Sequence, residues 1–313
     1  MPGMSPNRPM DYFWVVMTQC DCRCPYCIYG LYPLDRRKVG YFYTAEEWLA
    51  GWERMYKKYG EGRIVLTGGE PTLYPGFTDL AVQLSRWYQI NIDTNFQLPS
   101  AELELLLKRL SPRRVDFSTS FHPFMAKTDE FIAKIHLLKR NGFNYLCRLV
   151  AFPPLVEKIP AWRKTFGDED IILFVNPFSG EWNGRKYPES YTPAEKEIIF
   201  GQKNSRESAR IHPADKEFVR QMLNMESPRG RPCRTGSEHV RVEDNGWVYR
   251  CVSYAAMERE PLGNFIKDDI VLWDRPRVCE ADACEWEYRY LVDETDRFKS
   301  DKVLRDATTR GGV

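Results

Sequence analysis

The stretch from residue 12 to residue 27 reads Tyr12-Phe-Trp-Val-Val-Met-Thr-Gln-Cys-Asp-Cys-Arg-Cys-Pro-Tyr-Cys27. Its first six residues are apolar, which predicts a buried strand. Cys20, Cys24 and Cys27 follow with the spacing C-x3-C-x2-C. Three thiolates this close can hold three corners of a [4Fe–4S] cube and leave the fourth iron open to a small molecule. The stretch therefore predicts a strand that ends in a cluster-binding loop.

A second motif lies one predicted helix further along the chain. Residues 64–72 read Ile-Val-Leu-Thr-Gly-Gly-Glu-Pro-Thr, a short β-branched strand that ends in Gly68, Gly69 and Glu70. Glycines let the backbone approach another group closely, and a carboxylate can pair with an ammonium group. Taken alone, this motif is also compatible with an ordinary turn.

The N-terminal cysteines could also form disulfides or bind zinc. A secreted disulfide framework is disfavoured, because nine cysteines are an odd number and residues 1–9 lack the apolar core of a signal peptide. A zinc site would need Cys22 as a fourth ligand. This is disfavoured too, because Cys22 stands midway between Cys20 and Cys24, whereas paired zinc ligands usually stand further apart.

The composition narrows the class of protein. The chain has 313 residues, 43% of them apolar, and a formal net charge of +1. This balance gives no argument for nucleic acid or an anionic membrane as a partner. No apolar run approaches the ~20 residues of a membrane helix. We therefore expect no membrane partner and a cytoplasmic location, where thiols stay reduced.

Strand-like and helical patterns alternate from Tyr12 to about Asn176, which predicts an α/β fold with a parallel sheet and right-handed crossovers. Capping boxes at Thr44 and Thr192 mark two helix starts, and Thr128 begins another helix. The predicted strands are Tyr12–Met17, Arg63–Thr67, Gln89–Thr94, Arg114–Ser118, Tyr145–Ala151 and Ile171–Val175.

The cysteine spacing, the aromatic Tyr26 before the last cysteine and the Gly-Gly-Glu motif together resemble the radical S-adenosylmethionine (radical SAM) superfamily. The resemblance implies a partial (β/α)6 TIM-like barrel over residues 1–200, with its chemistry at the carboxyl ends of the strands. It implies a catalytic [4Fe–4S] cluster and S-adenosyl-L-methionine as cofactors. The implied cluster ligands are Cys20, Cys24 and Cys27, and Gly68, Gly69 and Glu70 would bind the methionine amino group.

The resemblance also implies roles for polar residues at other strand ends. Asp93, Asn95, Ser118 and Ser120 would contact the cofactor or the substrate, although each is also a common turn or cap residue. Arg148 lies inside an apolar strand and should pair with a carboxylate, for which the cofactor's own carboxylate is a candidate. The remaining expectations are Tyr26 as a cofactor contact, and His122 as either a substrate contact or a structural loop residue.

Cys147 and Cys22 belong neither to the set of Cys20, Cys24 and Cys27 nor to a second set of cysteines near the C-terminus. Cys147 is expected to be a small core residue. The alternative is a catalytic thiol that donates a hydrogen atom in an epimerase.

Four further cysteines follow a connector at residues 201–231, which has one predicted helix near Lys216–Met225. Between Cys233 and Cys251, the first two of these cysteines, an Asn245-Gly246 turn predicts a β-hairpin. Their pattern resembles the SPASM and Twitch auxiliary domains of radical SAM enzymes, and the Twitch type with one auxiliary [4Fe–4S] cluster fits four cysteines better. A structural zinc site is the alternative. The implied domain spans residues 232–313, with ligands Cys233, Cys251, Cys279 and Cys284.

The stretch at 177–188 is predicted to be irregular and to lie at the mouth of the barrel. Its segment from Phe178 to Tyr187 carries Glu181, Trp182 and Arg185, which would suit a polar, ring-shaped substrate. The alternative is an ordinary surface loop.

The resemblance implies an oxidoreductase or isomerase that forms a 5′-deoxyadenosyl radical, with a flavodoxin or ferredoxin-type reductant as partner. The barrel starts near Tyr12, so no leader-recognition domain is expected. This favours a small molecule such as a sugar or nucleoside derivative. The auxiliary cluster, which can accept or deliver an electron, favours its dehydrogenation or epimerisation. Modification of a ribosomal peptide remains an alternative. The molybdenum-cofactor cyclases fit less well, because Gly236 stands where their pattern has a cysteine. A different class of function is an electron carrier or zinc-binding interaction protein.

Overall fold

The computed structural model describes residues 9–27, 40–201, 213–284 and 287–292. Six parallel strands lie side by side in the order in which they follow along the chain. Their bounds differ from the predicted ones by at most two residues, which confirms the α/β fold and its parallel sheet. The strands are β1 (Met10–Met17), β2 (Gly62–Gly68), β3 (Gln89–Thr94), β4 (Val115–Ser120), β5 (Tyr145–Ala151) and β6 (Leu173–Pro177).

Helices connect these strands and cover the outer face of the sheet. Both predicted capping boxes are confirmed: Thr44 caps the first helix with Glu47, and Thr192 caps the sixth with Glu195. The helices are α1 (Ala45–Tyr59), α2 (Phe77–Leu84), α3 (Ser100–Arg109), α4 (Thr128–Arg140), α5 (Ile159–Asp168) and α6 (Pro193–Phe200).

A cluster of tryptophans fastens β1 to α1. The Trp14 ring lies 4.7 Å from Trp48 and 5.3 Å from Trp52, measured between ring centroids. All three side chains are fully buried. Each buried ring of this size contributes on the order of 2–3 kcal/mol through removal of apolar area from water. The strand that carries the cysteine loop is therefore held rigidly against its first helix.

Alternation along β5 separates two environments. Cys147, Leu149 and Ala151 are fully buried on the helix-covered side. Arg148 and Val150 point the other way and line an internal cavity. Successive side chains of a strand point to opposite faces of the sheet, so polar residues at alternate positions reach the interior of the barrel.

The structure corrects the prediction of an irregular stretch at residues 177–188. A two-stranded antiparallel hairpin lies there, made of β7 (Gly180–Trp182) and β8 (Arg185–Tyr187). Asn183 and Gly184 form its turn, with φ values of 48° and 70°. Positive φ at both central residues is the geometry that an Asn-Gly dipeptide favours.

The C-terminal part adds three strands to the same sheet. The helix predicted in the connector is present as α7 (Pro213–Asn224). The predicted hairpin is confirmed as β10 (His239–Val242) and β11 (Trp247–Tyr249). The sequence did not predict that β10 pairs in parallel with β1, which makes a nine-stranded sheet. The remaining elements are β9 (Pro232–Cys233), α8 (Val252–Ala256), β12 (Gly263–Asn264) and β13 (Arg277–Val278).

Because β10 to β12 continue the barrel sheet, strands from both sides of the connector share one sheet. The proposed division into domains at residues 200 and 232 stays a prediction. Among the described residues, no helix has the length and apolar character needed to span a membrane.

Candidate active site at the carboxyl end of the barrel

The cysteine loop and the Gly-Gly motif meet at the carboxyl ends of β1 and β2. The Gly69 amide donates to the Met17 carbonyl at 2.9 Å, and the Glu70 amide donates to the Gln19 carbonyl at 2.9 Å. A Cβ at Gly69 would stand 2.2 Å from the Gln19 oxygen. Only glycine permits this close approach, so the second motif is needed to seat the cysteine loop.

The three predicted ligand cysteines share one cavity. Cys20 and Cys24 are buried, Cys27 is half-buried, and all three are free thiols. They line a cavity of about 230 Å³ together with Gly68 and Gly69. We call this space the cofactor cavity. Cys22 lines the same cavity, so four thiols face it. Three of them are enough to hold a [4Fe–4S] cube with an open iron, and the predicted set of Cys20, Cys24 and Cys27 stays a prediction.

Cys22 lies between the predicted ligand cysteines and also lines the cofactor cavity, and its backbone amide donates to the Cys20 sulfur at 3.3 Å. Its thiol donates to Cys24, which lowers the pKa of Cys24 to about 5, and to Cys20, whose pKa is also lowered. The same hydrogen bonds raise the pKa of Cys22. A donated hydrogen bond favours the charged form of its acceptor. Cys20 and Cys24 are thus biased toward the thiolate state that binds metal.

Asn95, at the end of β3, holds the cysteine loop from the other side. Its amide nitrogen donates to the Asp21 carboxylate at 2.6 Å and to the Cys22 sulfur at 3.2 Å. The same nitrogen lies 3.6 Å from the Cys20 sulfur. Asn95 also lines the cofactor cavity. It therefore positions the loop as well as facing the site.

The Glu70 side chain is hydrogen-bonded to neighbouring residues of the protein. Its carboxylate is fully buried and accepts three hydrogen bonds. The donors are the Thr72 hydroxyl at 2.6 Å, the Thr94 hydroxyl at 2.8 Å and the backbone N–H of Asn95 at 2.7 Å. It does not line the cofactor cavity, whereas Gly68 and Gly69 do. Burial raises the pKa of Glu70 to about 7, against the effect of these hydrogen bonds. Its predicted contact with the cofactor stays a prediction.

Tyr26 and His122 form a pair at the rim of the cavity. The Tyr26 hydroxyl and His122 Nδ1 share a hydrogen bond of 2.9 Å. Burial raises the pKa of Tyr26. The ring of Phe152 packs 5.2 Å from Tyr26. The residue before the last cysteine is therefore fixed by contacts to two strand-end loops.

Arg148 and Asp93 face each other across the interior. The Arg148 guanidinium donates to the Asp93 carboxylate in a largely buried ion pair. The predicted carboxylate partner of Arg148 is thus present within the protein. Thr67 also donates to Asp93, at 3.3 Å. Both charged residues line the cofactor cavity, as does Ser120.

A second cavity of about 460 Å³ lies beside the first, inside the barrel. We call it the lumen cavity. It shares Phe13, Asp93 and Arg148 with the cofactor cavity. Ser118 lies here rather than at the cysteine loop, and its hydroxyl donates to the Asn91 side chain at 3.0 Å.

No sequence pattern singles out Phe13 or Arg241, which both line the cofactor cavity. Arg241 lies 5.2 Å above the Phe13 ring and pairs with Glu243. The following hairpin residue Asp244 accepts a hydrogen bond from Thr18 at 3.2 Å. The C-terminal strand β10 thus completes the cofactor cavity, which only its pairing with β1 could have revealed.

The other predicted site residues lie elsewhere. Cys147 is fully buried on the helix-covered side of β5, where burial raises its pKa to about 12, and it lines neither cavity. Trp182 packs edge-on against Phe152, with centroids 4.7 Å apart. Glu181 and Arg185 are exposed on the β7–β8 hairpin and line neither cavity.

The four C-terminal cysteines gather in one place. Cys233, Cys251 and Cys279 are buried in a second apolar cluster, against which the half-buried Cys284 packs. All four are free thiols. Burial raises the pKa of Cys251, Cys279 and Cys284. The four predicted ligands are thus brought into one region of the structure, and their binding of a metal centre stays a prediction.

Comparison with known proteins agrees with this geometry. Residues 14–158 match the family model described as "Radical SAM superfamily". The human protein named molybdenum cofactor biosynthesis protein 1 is 30% identical over 207 residues, covering 58% of this chain and 31% of that protein. The bovine protein of the same name matches to the same extent. The chain thus matches about a third of the length of these relatives.

Solved structures share the fold. Native anSMEcpe with bound AdoMet superposes with a TM-score of 0.60 at 16% identity, over 83% of this chain and 79% of that one. Streptococcus suis SuiB bound to S-adenosylmethionine gives a TM-score of 0.55 at 16% identity, over 84% and 64%. The match to the radical SAM family model, over residues 14–158, falls on the segment that carries the cysteine loop and the Gly-Gly motif at adjoining strand ends.

Proposed function

We propose that this protein is a radical SAM enzyme that binds S-adenosylmethionine in the cofactor cavity. The observation that carries the proposal is that Cys20, Cys24 and Cys27 share this cavity with Gly68 and Gly69. When bound, the cluster and S-adenosylmethionine supply a 5′-deoxyadenosyl radical that removes a hydrogen atom from the substrate. The protein's own part is to bind, orient and exclude water.

The cavity offers groups that suit S-adenosylmethionine. Backbone atoms of Gly68 and Gly69 face it without side chains in the way. Tyr26 contributes an aromatic edge, and Asp93 and Asn95 contribute hydrogen-bonding groups. Because Arg148 already pairs with Asp93, the two act together as one polar unit, and we propose that this unit contacts the cofactor.

The four C-terminal cysteines would hold one auxiliary [4Fe–4S] cluster. The buried side chain of Arg250 supports this, because its charge partly offsets that of thiolates at Cys251 and Cys279. When bound, such a cluster supplies an electron acceptor for substrate oxidation. A structural zinc ion is the alternative, although no three of these four sulfurs lie within 4.8 Å of one another.

Among the possible outcomes, dehydrogenation of a small polar metabolite, such as a sugar or nucleoside derivative, is favoured. Epimerisation needs a hydrogen-atom donor near the substrate, and Cys147, its proposed donor, lines neither cavity. Modification of a peptide is the alternative. We further propose a flavodoxin or ferredoxin-type protein as the reductant.

Electron paramagnetic resonance of the anaerobically reconstituted, dithionite-reduced protein tests the proposal. We expect the spectrum of the reduced cluster to change when S-adenosylmethionine is added, because the cofactor coordinates the open iron. The Cys24→Ala variant serves as the control and should lack this change. A wild-type spectrum that S-adenosylmethionine leaves unaltered would contradict the proposal.

A further inference from the structure

The lumen cavity contains polar groups that the protein leaves without partners. Asn176, on β6, is 5% exposed and lines this cavity, and its side-chain amide makes no hydrogen bond within the described residues. His239, on β10, is 3% exposed, and neither ring nitrogen has a partner there. Buried polar groups are normally satisfied, because leaving one unpaired costs free energy. Two such groups in one cavity indicate a ligand.

Asn91, another polar residue in the wall of the lumen cavity, is hydrogen-bonded within the protein. The Asn91 amide donates to Asp116 at 3.0 Å and accepts from Ser118 at 3.0 Å. The Asn91 amide is thus hydrogen-bonded within the protein, whereas the side chains of Asn176 and His239 remain able to hydrogen-bond to a ligand. Nε2 of His239 lies 3.8 Å from Glu287 Oε1, beyond hydrogen-bonding distance.

The arginines that line the lumen cavity all lie near carboxylates of the protein, and Glu287 adds a further negative charge to the wall. A phosphorylated or carboxylated ligand would therefore have to displace an existing partner. An uncharged ligand has no such competitor. The pairs are Arg148 with Asp93, Arg63 with Asp116 at 3.7 Å, and Arg289 with Asp11 at 3.7 Å.

The wall of the lumen cavity combines aromatic surface with side chains that can both donate and accept hydrogen bonds. Phe13, Phe174 and Tyr290 present aromatic surface to the cavity, and Tyr290 stacks on His239 with centroids 4.5 Å apart. Burial lowers the pKa of His239, so its ring is neutral and offers one donor and one acceptor. The Asn176 amide offers both as well. A hydroxyl group, which donates and accepts, matches both side chains.

We propose that the lumen cavity is the substrate site and takes an uncharged, hydroxyl-bearing ring that hydrogen-bonds to Asn176 and His239. This rests on the proposed function, since the lumen cavity shares Phe13, Asp93 and Arg148 with the wall of the cofactor cavity. Its volume of about 460 Å³ is within the range of small-molecule sites. Sugars and nucleosides share the required chemistry.

The first test needs no ligand. In the cluster-loaded protein, Asn176→Leu and His239→Phe should leave the melting temperature unchanged or raise it by about 2 °C, because each removes an unpaired buried polar group. The control Asn91→Leu should lower it, because it strips partners from Asp116 and Ser118. A fall in both test variants as large as that of the control would overturn the proposal.

The second test uses matched probes on the cluster-loaded protein with S-adenosylmethionine: D-glucose against glucose 6-phosphate, and uridine against uridine 5′-monophosphate. We expect the uncharged member of at least one pair to bind more tightly than its phosphate ester. Its Kd should rise about tenfold or more in Asn176→Leu and His239→Phe. Tighter binding of the esters, no binding of either uncharged probe at millimolar concentration, or an unchanged Kd in both variants would overturn it.

Both tests read melting temperature or binding rather than cleavage of S-adenosylmethionine. A failure here therefore leaves the proposed radical SAM function standing. Conversely, loss of that function would show first in the spectra of the reduced cluster.

Discussion

The Arg148 guanidinium on β5 pairs with the Asp93 carboxylate on β3, across the inside of the barrel from one another. β4 lies between these strands in the sheet, so the pair spans the interior rather than one ladder. The same two residues line both cavities. The ion pair thus stands where the proposed cofactor and substrate sites meet.

Asp93→Asn should destabilise the protein by about 1–3 kcal/mol and weaken binding of S-adenosylmethionine. The substitution leaves a largely buried guanidinium without its carboxylate, although residual solvent access moderates the cost. Thermal melts and equilibrium binding on the cluster-loaded protein would measure both effects. Asp79→Asn is the matched control, because its pair with Arg109 is exposed on both sides. Equal behaviour of the two variants would remove Asp93 from the site.

Cys22→Ala should keep the catalytic cluster, whereas Cys20→Ala, Cys24→Ala and Cys27→Ala should lose it. The prediction rests on the C-x3-C-x2-C spacing, and interaction with Cys22 lowers the pKa of Cys20 and Cys24. Because the donated bonds favour thiolates, Cys22→Ala should also shift the reduction potential of the cluster. Iron analysis and a redox titration would measure this. Full loss of iron in Cys22→Ala would contradict the ligand assignment.

Glu70 should make the stability of the protein fall as pH rises through neutrality. Burial raises its folded pKa from 4.5 to about 7, so the folded state holds a proton that the unfolded state has released. Between pH 6 and pH 8 the wild type should lose about 1 kcal/mol relative to Glu70→Gln. Melting temperatures of both proteins across this range would show it. A difference that does not change with pH would contradict the raised pKa.

Iron content should distinguish the two candidate centres at the C-terminal cysteines. With an auxiliary cluster, the anaerobic protein should hold on the order of eight iron atoms per chain. Cys251→Ala should then remove about half of the iron and keep the change that S-adenosylmethionine causes in the spectrum. Stoichiometric zinc together with about four iron atoms would favour the structural zinc site instead.

The sequence predicted those parts of the molecule that depend on local patterns. The six strands and the capped helices follow from apolar periodicity and from caps such as Thr44 with Glu47. The pairing of β10 with β1 was missed, because it joins residues such as Tyr12 and Val240 that are far apart in the chain. The β7–β8 hairpin was missed although Asn183-Gly184 gave a local signal.

The candidate site was predictable in its residue types more than in its contacts. The cysteine loop and the Gly-Gly motif could be recognised from their spacing. That Glu70 is satisfied by Thr72, Thr94 and Asn95 depends on where two strands end relative to each other. The role of the exposed hairpin residues Glu181 and Arg185 in substrate binding stays a prediction, as does that of Trp182.

The measurement that tests the central claim most directly is formation of 5′-deoxyadenosine. The reconstituted protein would be incubated anaerobically with dithionite and S-adenosylmethionine, with Cys24→Ala and Cys22→Ala in parallel. We predict 5′-deoxyadenosine from the wild type and from Cys22→Ala, and none from Cys24→Ala. Failure of the cluster-loaded wild type to form it, or its formation by Cys24→Ala, would contradict the account.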